Sequence, residues 1–255
     1  MALEAFFFPT SNDLQLFGVW RGPRDAKHAW ILCPPFGEEE KSARRVLTQI
    51  AQTLEKRGQS SLVFSFRGTG DSQGDFATTD LTQWRADLRA AQQQAMVLAP
   101  QASLNLLGVR LGASLALQEA PNLGVQQLIL IEPLLSGRSF LMQQTAKKQI
   151  RAQLTGDGAA TPSLLPADDL DGWPLGSALK SELQALDLKR EAAPNAKISV
   201  LQVGPREEIA PPLQNFADNL GATTRAVVMP PFWNLLDYTD PKPLLGALES
   251  EVFSG

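Results

Sequence analysis

The chain has 255 residues, of which 44% are hydrophobic and 20% are charged, a balance that suits one globular domain with its own core and argues against disorder. Its formal net charge of -4 gives no electrostatic reason to expect nucleic acid as a partner. A single cysteine, Cys33, excludes an intramolecular disulfide, and the apolar stretch at residues 5–9 is too short for a signal segment or a membrane span. We therefore expect a soluble cytoplasmic protein without a membrane span.

Short apolar runs alternate with segments of helical spacing along most of the chain. Strands are predicted at residues 4–8, 14–20, 29–33, 61–66, 103–107, 126–131, 197–203 and 224–228. Helices are predicted at residues 41–56, 81–98, 111–120, 211–220 and 241–252. This order predicts an α/β fold with a mostly parallel eight-stranded sheet and helices on both faces.

The alternation breaks between Pro133 and Pro194. That segment contains several glycines and prolines, no clear buried strand, and two helical stretches near residues 139–154 and 177–186. We interpret 133–194 as a helical cap insertion within one domain spanning residues 1–255. We expect it to cover the carboxyl ends of the strands, where open α/β sheets have their crevice, and its Gly- and Pro-rich part, 156–174, to be most mobile.

Residues 108–112 read Gly-Val-Arg-Leu-Gly between a predicted strand and a predicted helix. A strand–turn–helix with two flanking glycines is the context of the nucleophile elbow, whose pattern is G-x-S-x-G. The glycines are needed because the turn is tight and the helix packs closely on the neighbouring strand. Arg110 stands where the pattern has serine, and a guanidinium is not a nucleophile because it stays protonated.

Further motifs give the chain a family resemblance. They are PPFGEE at residues 34–39, KSARR at 41–45, FRGTGDS at 66–72, GDF at 74–76, GVRLGA at 108–113 and PPFW at 230–233. On these motifs the chain resembles the α/β-hydrolase superfamily over essentially its whole length, and within it the exosortase A system-associated hydrolases, particularly the second type. The resemblance implies the α/β-hydrolase fold and a setting in surface-protein sorting and exopolysaccharide loci, with a protein partner from that system.

Two of the three roles of a serine–histidine–acid triad have no candidate side chain. For the acid position, in the loop after the next-to-last strand, Glu207 and Glu208 are the candidates. The loop after the last strand contains Trp233 and no histidine, and the sole histidine, His28, is predicted at the opposite end of a strand roughly 17 Å long. The degenerate catalytic positions are then Arg110, Glu207, Glu208 and Trp233.

The same elbow predicts a ligand pocket of the oxyanion type. Its expected members are Phe36, Gly37, Glu38, Glu39, Arg110 and Leu111. The backbone N–H of Leu111 is expected to point at the pocket from a helix N-terminus, and a second amide is expected from Phe36 or Gly37.

Arg110 has two overlapping interpretations. It binds a small anionic ligand, or it forms a structural ion pair with one of the nearby carboxylates, since a buried arginine must be paired. The candidates for that pair are Glu38, Glu39, Glu207 and Glu208. We expect Glu38 or Glu39 to point inward and Glu40 to be solvated.

The remaining polar candidates have structural interpretations. Arg67, Asp71 and Ser72 predict a hydrogen-bond network internal to their loop, and Cys33 predicts a buried core residue. One histidine and one cysteine cannot build a common zinc or iron site, and no G-x-G-x-x-G sequence follows the first parallel strand. No metal and no cofactor is therefore expected.

Two hypotheses for the function follow from the missing side chains. The first is a non-catalytic binding or scaffold protein that retains the hydrolase fold. The second is an enzyme that hydrolyses an ester or other acyl substrate without serine chemistry, using Arg110 as electrophilic stabiliser and a glutamate as base. The missing nucleophile and base favour the first.

Overall fold

The computed structural model describes residues 3–155, 169–170, 172–235 and 239–253. Its strands are β1 (Leu3–Pro9), β2 (Gln15–Arg21), β3 (His28–Cys33), β4 (Ser60–Phe64), β5 (Ser103–Val109), β6 (Gln127–Ile131), β7 (Asp169–Leu170), β8 (Trp173–Pro174), β9 (Lys197–Gly204) and β10 (Thr223–Val228). Its α-helices are α1 (Glu38–Lys56), α2 (Leu81–Leu98), α3 (Leu111–Leu123), α4 (Gly137–Thr155), α5 (Ser177–Ala185), α6 (Pro211–Asn219) and α7 (Lys242–Phe253).

Eight of these strands form one sheet in the order β1-β2-β4-β3-β5-β6-β9-β10. The β1–β2 and β2–β4 pairs are antiparallel, and every other pair is parallel. Side chains of α1 and α7 are buried against one face of the sheet, and side chains of α2, α3 and α6 against the other. The predicted α/β architecture, an eight-stranded and mostly parallel sheet with helices on both faces, is confirmed.

Helix α1 begins at Glu38, three residues earlier than the sequence predicts. Its first turn is acidic and its last turn contains Lys56, and both charges are favourable against the partial charges of the helix ends. The helix is held to the sheet by one apolar stripe, which has the spacing of an amphipathic helix. The buried apolar residues of that stripe are Ala43, Val46, Leu47, Ile50, Ala51 and Leu54.

The strand register places the elbow at one edge of the sheet. Cys33, the last residue of β3, pairs with Gly108 near the end of β5, so the segments that follow both strands leave the sheet side by side. His28 pairs with Ser103 at the start of the same two strands. The only histidine of the chain therefore lies at the opposite end of β3 from the elbow.

Two described parts of the 133–194 segment contact residues that follow the carboxyl ends of β3 and β4. The ring centroid of Phe140 in α4 lies 5.7 Å from that of Phe36, which follows β3. The ring centroid of Trp173 lies 4.9 Å from that of Phe76, in the segment after β4. Strands β7 and β8 form a two-residue antiparallel hairpin, which the sequence did not indicate and which does not join the main sheet. Of the range predicted to be mobile, residues 156–168 and 171 lie outside the described residues.

None of the helices in the described ranges combines the length and the apolar composition that a membrane crossing requires.

Candidate functional site

Arg110 occupies the apex of a strained turn between β5 and α3. Its backbone has φ 56° and ψ -121°, a left-handed conformation that costs a non-glycine residue about 1–3 kcal/mol. The turn is closed by hydrogen bonds: the Arg110 N–H donates to the Ile131 carbonyl (2.9 Å), and its carbonyl accepts from Ala113 and Ser114. The turn therefore has the strained strand–turn–helix geometry of a nucleophile elbow, with an arginine at its apex.

The two elbow glycines are required by close packing. A Cβ on Gly108 would lie 2.4 Å from the Ala113 Cα, and a Cβ on Gly112 would lie 2.3 Å from the Pro34 carbonyl oxygen and 2.4 Å from that of Cys33. These neighbours are backbone atoms, which cannot rotate away. The glycines thus permit α3 to begin directly against the end of β3.

We expect Gly112→Ala to lower the free energy of unfolding by about 1–3 kcal/mol, because the added methyl group must displace the backbone after β3. Gly246 is a matched control in α7, where an added Cβ meets nothing within 4 Å. Gly246→Ala is expected to stabilise the protein by about 0.5–1 kcal/mol through helix propensity. Equal effects of the two substitutions in urea unfolding would contradict this account of the elbow.

The Arg110 guanidinium lies between a carboxylate and an indole ring. Its Nε is 3.4 and 3.3 Å from the two carboxylate oxygens of Glu39, and one Nη is 3.4 Å from the first of them. On its other side the guanidinium carbon lies 5.3 Å from the ring centre of Trp233, within the range of a cation–π contact. The side chains of Arg110 and Glu39 are only 14% and 10% exposed, so the pair is largely removed from water.

Burial raises the pKa of the Glu39 carboxyl above its ordinary value. The charge and hydrogen bonds of Arg110 act in the opposite direction, as does the more distant charge of Lys147 on α4. The ionised form of Glu39 is therefore stabilised mainly by the Arg110 guanidinium beside it.

The prediction that Glu40 is solvated is wrong. Glu40 is 4% exposed, and its carboxylate accepts a hydrogen bond from Ser65 Oγ (3.0 Å) and pairs with Arg44 (3.3 Å). Because α1 begins at Glu38, the side chain of Glu40 faces the end of β4 and not solvent. Glu38 has the exposed position, with a Lys41 ion pair at 2.8 Å and a contact of 3.4 Å from Trp173 Nε1.

A cavity of about 530 Å³ lies beside the ion pair, within the size range of small-molecule sites. Its lining residues from the core fold are Phe36, Gly37, Glu38, Glu39, Ser42, Trp233 and Asn234. The 133–194 segment contributes Phe140, Gln144, Lys147, Leu170 and Trp173. The cavity thus combines four aromatic rings with two carboxylates and a lysine, and Glu39 and Trp233 connect it to Arg110.

The structure brings together only some of the residues that the sequence singles out. Arg110, Glu39 and Trp233 are in contact, and Phe36 and Gly37 line the same cavity. Leu111 is buried at the first position of α3, where its N–H has no acceptor within its own helix. Glu207 and Glu208 are exposed in the loop after β9, and neither forms an ion pair with Arg110 in the described structure.

A further carboxylate near the apex escaped the sequence analysis. Glu132 directly follows β6, has φ 47°, and accepts a hydrogen bond from the Val203 N–H at 3.0 Å. Burial raises its pKa, while that hydrogen bond and the charge of Arg110 lower it. The position of Glu132 immediately after β6 could have indicated that it belongs to the site, because the carboxyl ends of parallel strands meet at one edge of the sheet.

Three further nucleophilic side chains, those of Ser114, Ser72 and Cys33, are hydrogen-bonded or buried. Ser114 is buried in α3 and exchanges hydrogen bonds with the backbone of Leu134, and Ser72 Oγ donates to the Ser65 carbonyl. Cys33 is fully buried, as predicted, and burial raises the pKa of its thiol. Within the described ranges, no group of three or more histidine, cysteine, aspartate or glutamate side chains is arranged to hold a metal ion.

The network around Arg67 is not internal to its loop. Arg67 pairs with Asp87 of α2, and Ser72 Oγ accepts from the Phe17 N–H of β2. Asp71 is exposed. The predicted network therefore fastens the loop after β4 to two neighbouring elements.

The strand order and the strained elbow between β5 and α3 define an α/β-hydrolase fold. Solved structures with that fold are similar to the chain. One is Est1E of Butyrivibrio proteoclasticus with ferulic acid bound, which has a TM-score of 0.68 and 18% identity over 98% of each chain. Another is an esterase of Pyrococcus furiosus, which has a TM-score of 0.68 and 14% identity over 100% of this chain and 92% of the other. An α/β serine hydrolase without a lid from Xanthomonas campestris has a TM-score of 0.62 and 20% identity over 99% of this chain and 94% of the other. No family model and no curated protein matches the chain.

Proposed function

We propose that this chain is a non-catalytic binding protein built on the α/β-hydrolase fold, with a degenerate triad and a ligand cavity over the former nucleophile position. One observation carries the proposal: the apex side chain is Arg110, which pairs with Glu39 and packs on Trp233. A guanidinium cannot attack an acyl carbon, because it remains protonated and has no available lone pair.

The position of the only histidine supports the same function. His28 begins β3, six residues long, whereas the elbow follows the other end of that strand. The separation is roughly 20 Å, far beyond hydrogen-bond reach. After β10, where a hydrolase of this fold has its histidine, the chain has Phe232 and Trp233. A serine placed at the apex would therefore lack the histidine base of a serine–histidine–acid triad.

A second candidate function rests on the raised pKa of Glu39. A carboxyl group whose pKa is raised by burial can act as a general acid or base, and it lies against a cation at the edge of a cavity. The alternative is thus a hydrolase of an ester or other acyl substrate that uses Arg110 and Glu39 without serine chemistry. The elbow apex itself has no nucleophile, because its side chain is Arg110, and for that reason we place this function second.

The proposal extends to the partner system and the cellular compartment of the protein. The motif resemblance to exosortase-associated hydrolases of the second type suggests a partner in surface-protein sorting or exopolysaccharide production. The single cysteine fits a reducing compartment, and on that basis we place the protein in the cytoplasm.

Activity-based labelling tests the proposed function. We expect no covalent labelling by a fluorophosphonate probe and no turnover of p-nitrophenyl acetate above the buffer rate. Arg110→Ser should behave in the same way, because restoring the hydroxyl does not restore the base. An active serine hydrolase of the same fold is the positive control.

Two outcomes would decide against this proposal. Labelling of a single serine in the native protein would establish serine chemistry. Turnover that is retained by Glu38→Gln and abolished by Glu39→Gln would favour the second candidate function, because Glu38 is the exposed neighbour in the same helical turn.

A further inference from the structure

The ion pair at the apex is looser than a carboxylate–guanidinium pair of good geometry. All three contacts between Arg110 and Glu39 measure 3.3–3.4 Å, whereas charge-assisted N–H···O bonds are about 2.7–2.9 Å long. The backbone of Glu39 is held in the first turn of α1, which sets the direction from which its carboxylate approaches the guanidinium. A ligand carboxylate entering from the cavity has no such restraint and can meet the guanidinium fork in the bidentate manner.

The cavity beside this pair fits an aromatic body. Four rings line it, from Phe36, Phe140, Trp173 and Trp233. Phe36 and Phe140 lie 5.7 Å apart with their planes inclined at 57°, one of the arrangements in which aromatic rings attract each other. Arg110 is also the N-cap of the 13-residue helix α3, whose dipole favours negative charge at that end. Arg110 lies behind Glu39 and Trp233 of the cavity lining, so a ligand anion can reach the guanidinium only where Glu39 moves aside, while the cavity walls suit a ring.

We propose that the cavity binds an aromatic monocarboxylate, whose carboxylate replaces Glu39 on Arg110 while Glu39 takes up one proton from solvent. This inference rests on the proposed binding function. The exchange conserves charge at the site: one carboxylate leaves the guanidinium as a neutral acid, and another carboxylate takes its place.

The surroundings explain why the displaced Glu39 is protonated. The charged groups that face it are Glu38 on its own helix, Arg110, Lys147 on α4 and, beyond Arg110, Glu132. Glu38 is already paired with Lys41, and Lys147 is exposed on α4. Once Arg110 is engaged by a ligand, burial remains the dominant effect on Glu39, and burial favours the neutral acid.

Isothermal titration calorimetry with phenylacetate tests the exchange. Titrations in two buffers of different ionisation enthalpy should report net proton uptake on binding, because Glu39 exchanges its cation for a proton. Affinity should rise by up to about tenfold for each pH unit below 7.5, until Glu39 is already protonated in the unliganded protein. Inorganic phosphate and benzyl alcohol, which supply the anion without the ring and the ring without the anion, should each bind more weakly.

Two variants separate this mechanism from simple binding. Glu39→Gln removes the competing carboxylate, so it should bind phenylacetate more tightly than the native protein at pH 7.5 and with little pH dependence. Glu4→Gln, which removes a carboxylate from an exposed ion pair on β1 outside the cavity lining, is the control and should retain both the native affinity and the proton uptake. The proton count on the native protein needs no variant, so it decides the matter even if a variant folds poorly.

The outcomes that overturn the inference differ from those that overturn the proposed function. Phenylacetate binding without proton uptake, unchanged in Glu39→Gln, would refute the exchange and leave a non-catalytic binding site. Absence of phenylacetate binding in both native protein and Glu39→Gln between pH 5.5 and 7.5 would refute this ligand class. Fluorophosphonate labelling or ester turnover would instead overturn the proposed function itself.

Discussion

Replacing Arg110 with alanine is expected to destabilise the protein by about 3–5 kcal/mol at pH 7.5, because it leaves the Glu39 carboxylate buried without its cation. Both side chains are at most 14% exposed, so water compensates little of this loss. The cation–π contact with Trp233 is lost at the same time. Urea unfolding of the two proteins, followed by circular dichroism, measures the difference.

The destabilisation should depend on pH in a defined direction. Burial holds the Glu39 pKa above its ordinary value, and removing Arg110 removes the main effect that lowers it, so the folded-state pKa rises further in the variant. A carboxyl whose pKa is raised by folding contributes stability at low pH and loses it as pH rises through the folded pKa. The stability difference between the native protein and Arg110→Ala should therefore grow from pH 5 to pH 7.5.

A double variant provides the control for the ion pair. Arg110→Met with Glu39→Leu removes both charges and should recover most of the stability, since replacing a buried ion pair by apolar side chains is often neutral or stabilising. A deficit that is independent of pH, or an Arg110→Ala variant as stable as the native protein at pH 7.5, would show that Glu39 does not depend on Arg110.

The regular parts of the fold were predictable because they follow from local patterns. The alternation of apolar runs and amphipathic segments predicted all eight strands of the main sheet, because hydrophobic periodicity follows from which residues are buried. Element ends were less predictable. Helix α3 continues through Pro121 to Leu123 and ends at Gly124, which is left-handed, although a proline inside a helix removes a hydrogen bond.

The candidate site was predictable at its apex and not in its surroundings. The spacing of Gly108 and Gly112 located the turn, because only glycine fits against the backbone there. Which of the consecutive glutamates faces Arg110 depends on where α1 begins, and a shift of one residue turns a helical side chain by about 100°. Lys147 and Trp173 reach the cavity through the way the 133–194 segment packs on the core fold, which its two predicted helical stretches do not determine.

Substituting Asp87 with alanine is expected to cost about 3–5 kcal/mol of stability, because it leaves the Arg67 guanidinium buried without a counter-charge. Asp87 is fully buried and accepts four hydrogen bonds from Arg67, from Nε twice, from Nη and from the backbone N–H, at 2.6–3.1 Å. The buried Arg67 guanidinium cannot become neutral in the variant, because arginine does not lose its proton in a protein. The loss should appear as a lower urea midpoint with an unchanged m-value.

The effect of Asp87→Ala should extend to the cavity, because the loop that Arg67 anchors carries one of its supporting rings. Phe76 in that loop stacks 6.2 Å from Phe36 and packs 4.9 Å from Trp173, both of which line the cavity. Asp71→Ala, an exposed acid in the same loop, is the control and should change stability by no more than about 0.5 kcal/mol. If both variants were equally stable, the Arg67–Asp87 pair would not be what fastens this loop to α2. A stable Asp71→Ala beside a strongly destabilised Asp87→Ala would instead identify the buried pair as the contact that fastens this loop to α2.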